Sequence, residues 1–537
     1  MKKKTMKKQT VAVLVAGLMI TLFTGCGSSA TENSAKQGST TATLENTNAN
    51  SAQSESADAA NLESTEVESS AKVDGGGYTV HYMYLVAQEG ADQDAVEKAV
   101  DELAMKELNM HVDLIPVTIG TWNSQLPMML ASGEPLDIFI ALSNQFSSYI
   151  DSGYVVNLAD YQDDLKDAQE ALGEDFNAGY IGDFLIGTSQ MKERAYPEGI
   201  VVRKDIFEEL GYSVDDFDCN TEDLSSYDKI TEMYAKVKEK YPEMVCLDGT
   251  GVMGNGTMAY VDTMNSNFGV LENYGQTTTV TNYFESDQFK KLCEIAKTWY
   301  DNGYESKDIA VNKDSGELKM KAGNCFSFIC YVKPNTNIEK KAQTGYDTVY
   351  IPISQGVKST TAVSSALFCV ASSAEDPEKA AQFLNWTYQS REFNDLINWG
   401  IEGKDWVLTD DGMAAYPDGV DASTVGYHND FGFVYPNQFA GHPWEGNPSD
   451  IWEQYATYNS SLLKSKAFGF NFDSTKVATQ EAQLNSVSDQ YLNMLAFGTV
   501  DIDSTLKEFN DALYAAGLQD VIDEKQAQLN AWLAEQK

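Results

Sequence analysis

YTVHYMYLV, Tyr78 to Val86, alternates along most of its length and predicts a β-strand. It leads into Ala91 to Leu108, where Val96, Ala99, Val100, Leu103 and Met105 recur at roughly helical spacing. HVDLIPV (111–117) predicts a second strand, Gln125 to Ala131 a second helix, and DIFIAL (137–142) a third strand. This strand–helix–strand–helix–strand order implies a parallel sheet with right-handed crossovers. Such sheets bind ligands at the carboxyl ends of their strands. Those ends are Ala87-Gln88-Glu89, Gly120-Thr121-Trp122 and Ser143-Asn144-Gln145.

Upstream of this pattern the chain changes character. Lys2, Lys3, Lys4, Lys7 and Lys8 precede an apolar run, Val11 to Phe23, of secretory-signal length and too short for a membrane span. It ends in Phe23-Thr24-Gly25-Cys26, which resembles the bacterial lipoprotein box with Phe23 in the usual leucine position. The resemblance implies residues 1–25 as a signal peptide and Cys26 as a lipidated first residue, anchoring the chain on the extracellular face of the cell membrane. Two acyl chains suffice for stable anchoring. Gly27 to Gly77 holds no aromatic residue and is rich in Ser, Thr, Ala, Asn and Glu, so residues 26–77 are expected to form a flexible stalk.

The net charge of −42 becomes more negative still without the leader lysines. That much acid repels nucleic acid and anionic lipid headgroups and favours neutral or cationic ligands. About 460 residues beyond the stalk exceed one core, so two lobes are expected. Cys219, Cys246, Cys293, Cys325, Cys330 and Cys369 are expected to be mostly reduced and buried; three of them sit in apolar, strand-like runs. The histidines (His81, His111, His428, His442) are scattered without HExxH or CxxC, so no metal or cofactor is expected. Asp410-Asp411-Gly412 lacks calcium-loop spacing and is expected to be a turn.

Longer segments carry a family resemblance. LASGEPLDIFIAL (130–142), FSSYIDSGYVVNLADY (146–161) and YPEGIVVRKDIFEELGY (196–212) are followed by FKKLCEIAKTWYDNGYESKD (289–308) and KAGNCFSFICYVKPN (321–335). With SSALFCVASSAEDPEKAAQFLNWTYQSREFNDLINWGIEGKDW (364–406), this ordered set resembles the family 1 extracellular solute-binding proteins of carbohydrate ABC importers, in a longer Gram-positive lipoprotein branch. The resemblance implies an α/β, two-lobed, periplasmic-binding-protein-like clamshell hinged by about three crossing segments. Each lobe would be an α/β sandwich. The lobes would comprise 78–199 plus 328–371 and 200–327 plus 372–537. Crossings are expected near Ile200-Val201-Val202, near Phe326 to Tyr331, and after Ala366 to Ala371. Helices at 227–240, 287–302 and 377–387 would coat the second lobe, and tail helices at 480–497 and 504–533 would pack across the lobes.

The implied function is capture of a sugar or oligosaccharide by a monomeric receptor that hands it to the permease subunits of an ABC transporter. The resemblance carries over Asn144 and Gln145 after DIFIAL and Tyr331 at the second crossing as ligand contacts. Sugar rings need flat aromatic faces and polar groups for their hydroxyls, which adds candidates on chemistry alone. These are Gln190, Arg194 and Tyr196 before the first crossing, Trp122 at a strand's carboxyl end, Trp399 and Glu402 in NWGIEGKDW (398–406), and His442, Trp444, Glu445 and Trp452 in PNQFAGHPWEGNPSDIW (436–452). Trp299, Trp386 and Trp532 are expected to be packing residues. A peptide or polyamine on the same scaffold is an alternative. A surface glycoside hydrolase is the other, with Glu402 and Asp405 as its carboxylates. No hydrolase motif surrounds that pair, and the chain is expected not to be an enzyme.

Overall fold

The computed structural model describes residues 77–536 except 89, 143–144, 218–223, 250–257, 313 and 430–434. The leader, Cys26, the stalk, Asn144 and Cys219 lie outside the described residues.

The chain opens with β1 (Tyr78–Val86), α1 (Gln93–Leu108), β2 (Met110–Thr118), α2 (Ile119–Ser132) and β3 (Ile138–Leu142). β1 pairs parallel with both β2 and β3. From Tyr82 to Val86 every residue of β1 is buried, because a parallel strand is covered on both faces. β4 (Thr188–Ser189) and the later strand β9 (Ala366–Val370) complete a sheet ordered β2-β1-β3-β9-β4. The second sheet contains β5 (Glu198–Arg203), β6 (Val245–Leu247), β7 (Cys325–Tyr331) and β8 (Thr348–Pro352), ordered β8-β5-β7-β6.

Each sheet anchors its own core. α3 (Ser226–Lys240) and α4 (Asp287–Asp301) cover the second sheet, with Trp299 fully enclosed as expected. α5 (Pro377–Thr387) and α6 (Arg391–Trp399) do not follow. Ala380, Phe383, Leu384, Phe393 and Ile397 pack in the first core with Tyr82 and Phe139. The expected boundary at 372 is therefore corrected: these helices, with Tyr427 and Tyr435, belong to the first lobe.

The segment from Phe328 to Pro352 is corrected in the opposite direction. β7 pairs antiparallel with β5 over Glu198↔Tyr331 to Val202↔Ser327, and β8 flanks β5, so both lie inside the second sheet. Neither Ile200–Val202 nor Phe326–Tyr331 crosses between lobes. The crossings are residues 190–197, from β4 to β5, and 353–365, from β8 to β9. They are tied together where Glu198 N donates to Ser354 Oγ (2.7 Å) and Ile353 N to the Glu198 carbonyl (2.9 Å). A third passage follows much later, through α7 (Ile451–Ser461), where Asn459 Nδ2 donates to the Lys192 carbonyl (2.8 Å).

The tail helices α8 (Ala478–Ala496), α9 (Ile502–Ala515) and α10 (Leu518–Glu535) bury Leu495, Phe509, Leu513, Val521 and Leu529 in the second core. They complete that lobe instead of lying across both. Cys246, Cys293, Cys325, Cys330 and Cys369 are buried free thiols, each pushed above the ordinary thiol pKa by burial. Asp410-Asp411-Gly412 is a turn, closed by Thr409 N donating to Met413 O (2.8 Å). Among the described residues, no helix is long and apolar enough to cross a membrane.

Candidate functional site

Strand direction brings the expected ligand-binding ends together. β1, β3 and β4 run the same way and β9 runs against them, so Val86, Leu142, Ser189 and Ala366 share one edge of the first sheet. In the second sheet, Glu198, Tyr331 and Pro352 share an edge. The crossings 190–197 and 353–365 link these two edges, which makes the gap between them the candidate site.

Near the crossings, Tyr331 and Tyr196 place their ring centroids 5.5 Å apart, and the Tyr196 hydroxyl meets Ser365 Oγ at 3.2 Å. Burial drives the Tyr331 phenol pKa upward, keeping it neutral. Lys192 Nζ lies 3.5 Å from Glu193 and 5.3 Å from the Tyr196 ring centroid. Burial opposes the charge on both partners. Glu193 and Tyr196 nonetheless hold Lys192 above its usual pKa, while Lys192 and Lys333 hold Glu193 below its own.

An aromatic group stands at the β1 end of the same edge. α6 ends at Trp399, where Gly400 takes φ +86° and turns the chain sharply. Asp395 on α6 receives His442 N (2.8 Å) and lies 2.7 Å from His442 Nδ1. Trp399 Nε1 donates to the His442 carbonyl (3.0 Å). These bonds fix the loop that carries Trp444. The Trp444 ring centroid lies 4.8 Å from Trp399, 4.7 Å from Tyr416 and 4.5 Å from His428. Asn429 binds the end of β1 directly, its Nδ2 donating to Leu85 O (3.0 Å), and its own N donates to Asn398 O (2.8 Å). Farther along, Met191 N donates to Pro436 O (2.7 Å) and Gln438 N to Met191 O (3.0 Å), placing residues 436–438 at the β4 end.

Along this edge, Gln145 Oε1, Ser189 Oγ, Asn398 Oδ1, His428 Nδ1, Asn429 Oδ1 and Gln438 Oε1 are buried without a protein hydrogen-bond partner among the described residues. More than nine in ten buried polar groups of native proteins are partnered, which makes these six atoms candidates for meeting a ligand. Burial pushes His428 down to about 4, so its imidazole is neutral at physiological pH.

The remaining candidates have other roles. Arg194 is buried against Asp175 (2.8 Å), which also takes Lys358 (2.5 Å), so its charge is spent on a structural ion cluster. Gln190 is buried beside it, with its carbonyl accepting from Arg194. Trp122 is enclosed in the first core, on the α2 face shared with Leu126 and Leu130. Trp386 and Trp532 pack against Phe383 and Phe470 respectively. Trp452 packs on Phe439 and Tyr455. Glu402 and Glu445 are exposed. Asp405 is buried, its Oδ2 receiving Ile401 N (2.9 Å), while Lys404 pairs with Asp92 at 2.5 Å. Within NWGIEGKDW, Asp405 therefore holds the turn from inside while Glu402 stands exposed. Sequence reasoning missed Tyr416, His428, Asn398, Asn429 and Gln438, which share no motif or spacing.

Comparison with known proteins matches this architecture. A family model described as bacterial extracellular solute-binding protein matches residues 98–401, more than half the chain, and one described as a domain of unknown function (DUF3502) matches 466–534. A carbohydrate ABC transporter substrate-binding protein of Streptococcus pneumoniae is 22% identical over 483 residues, covering 86% of this chain and 93% of the relative. The solved N-glycan transport solute-binding protein of S. pneumoniae superposes with a TM-score of 0.72 at 20% identity, covering 86% of this chain and 100% of that one. An extracellular solute-binding protein of Bifidobacterium longum subsp. infantis superposes at 0.59 and 15% identity, with 85% and 98% coverage.

Proposed function

The chain belongs to the bacterial extracellular solute-binding proteins, and from that premise we propose that it captures a neutral carbohydrate between its lobes and delivers it to the permease subunits of an ABC importer. The observation that carries this reading is the carboxyl edge of the first sheet, where aromatic rings adjoin polar atoms that are buried without protein partners among the described residues and two crossings lead to the edge of the second sheet. Ring faces suit the C–H patches of a sugar, and amide, hydroxyl and neutral imidazole groups suit its hydroxyls. The acidic chain carries no charge conflict with such a ligand. The carbohydrate relative and the structure of the N-glycan transport protein with Man5GlcNAc (TM-score 0.65) support the ligand class.

Capture works by population shift: a ligand that touches both edges favours the closed state by the contacts it makes only there. Micromolar binding would supply about 8 kcal/mol for this. Cys26 would carry the lipid anchor and residues 27–77 the tether that lets a monomeric receptor reach its transporter. A receptor is the reading we propose over a hydrolase built on Glu402 and Asp405, since Asp405 is buried in a turn and Glu402 is exposed, and the two do not flank an open site.

Titration calorimetry of the mature chain against xylo-, manno-, malto- and arabino-oligosaccharides tests the proposal, with short peptides and spermidine as the other arms. Heat from at least one sugar is expected, with the sugar recovered intact by chromatography. Heat from peptides or spermidine alone would overturn the ligand class, and cleaved sugar would overturn the receptor.

A further inference from the structure

Two neighbouring carboxylates of the first lobe collect one cation from each of the three passages between the lobes. Glu174 and Asp175 lie in the short turn Gly173–Gly179, whose Phe176 packs in the first core. Asp175 takes Arg194 of the first crossing at 2.8 Å and Lys358 of the second at 2.5 Å. Glu174 takes Lys358 on one oxygen and Lys464, which follows α7, on the other, both at 3.0 Å.

Lys358 and Lys464 stand side by side in a short parallel ladder, Val357–Lys358 against Leu463–Lys464. Like charges placed so repel, and the Glu174 carboxylate between them relieves the repulsion. The two lysines in turn hold Glu174 below its usual pKa. The ladder follows the second lobe. Gln276 Nε2 donates to Lys464 O (3.0 Å) and Lys466 N to Gly275 O (3.0 Å), next to Tyr274 of the second core. The cluster therefore ties the first lobe to the second.

Burial divides the cluster in two. The Asp175 and Arg194 side chains are 8% and 3% exposed, those of Glu174 and Lys464 51% and 53%. Breaking a buried pair costs a factor of about a hundred or more in population, and breaking an exposed pair about fivefold or less. Lobe rotation is thus expected to release the exposed pair and turn on the buried one. Resting on capture by closure, we infer that Glu174–Lys464 is a releasable ionic latch between the lobes, hinged on the Asp175–Arg194–Lys358 cluster. Its strength sets how much of the protein rests in the latched arrangement, which tunes solute affinity without touching the solute.

Spin labels at Ser132→Cys on α2 and Glu239→Cys on α3, both exposed, report the distance between the lobes. Dipolar spectroscopy on residues 27–537 with Cys219→Ser compares the otherwise wild-type protein with Glu174→Gln, Lys464→Met and the double variant, with thermal unfolding as a fold control. Glu174→Gln and Lys464→Met change the net charge in opposite senses, so a general charge effect moves the distance distribution in opposite directions. Release of the latch should move it the same way in both, by about threefold in the ratio of populations, with the double variant moving no further than Glu174→Gln. Opposite shifts, additive shifts or no shift overturn the latch. If a mixture of malto-, manno-, xylo- and arabino-oligosaccharides still shifts the distribution, capture by closure stands without it.

Discussion

Asn429 reaches 344 positions back along the chain to donate to the Leu85 carbonyl at 3.0 Å, one residue before β1 ends. This bond sets Tyr427–Asn429 over the carboxyl edge of the first sheet, and with it the His428 ring that packs on Trp399 and Trp444. A loop more than 300 residues away in sequence is thus held against the end of the opening strand, beside the candidate site.

Arg194 separates a structural role from a ligand-binding one. Arg194→Met should destabilise the protein by about 3 kcal/mol in urea denaturation, at the low end for breaking a buried ion pair, because Lys358 still neutralises Asp175. Its sugar affinity should match wild type. A lost affinity with stability intact would return Arg194 to the binding site.

Glu305 is buried with neither carboxylate oxygen partnered among the described residues, and burial, reinforced by Asp248, raises its pKa well above the usual value. A carboxyl whose folded pKa is raised binds its proton more tightly when folded. Its contribution to stability is therefore intact below the unfolded pKa and falls as pH rises toward the folded one. Glu305→Gln cannot ionise, so it should flatten the decline of the melting temperature above pH 5 and gain stability relative to wild type as pH rises from 5 to 8. A variant less stable than wild type at pH 8 would show that Glu305 has a partner.

Lys525 on α10 donates to three carbonyls of one loop, those of Thr263 (3.0 Å), Ser266 (3.0 Å) and Gly269 (2.7 Å). Lys525→Met keeps the stem but leaves these acceptors without their donor. A loss of about 2–3 kcal/mol is expected, with faster amide exchange across residues 263–269. Unchanged exchange there would contradict the clamp.

The segment matched as a domain of unknown function should not be separable. Phe509 packs on Phe284 with centroids 4.9 Å apart, inside the core that also holds Tyr227 and Trp299. Deleting residues 466–537 should abolish a cooperative thermal transition of the second lobe and expose dye-binding apolar surface. A truncated chain that melts cooperatively and binds sugar like the full one would refute this.

The opening strand was legible to the residue, since a largely alternating stretch of Tyr and Val broken by Thr79 and His81, leading into a helically spaced segment, admits few other readings. Trp299 and the buried thiols were legible for similar reasons. The lobe boundaries were not. A run such as Ile200-Val201-Val202 announces a strand but not the sheet it joins, and α5 and α6 show an apolar face without naming the core it covers. At the site, Trp444 stood out because its loop is crowded with aromatics. His428, Asn429 and Gln438 did not, because their roles arise from backbone bonds to Leu85 and Met191 that no local spacing encodes.

The most direct test of capture by closure is small-angle scattering of the mature chain with and without the sugar that calorimetry selects. The two sheet edges should close on the ligand, so the radius of gyration should fall on saturation and stay constant with a non-binding sugar. A radius unchanged at full occupancy would contradict the account.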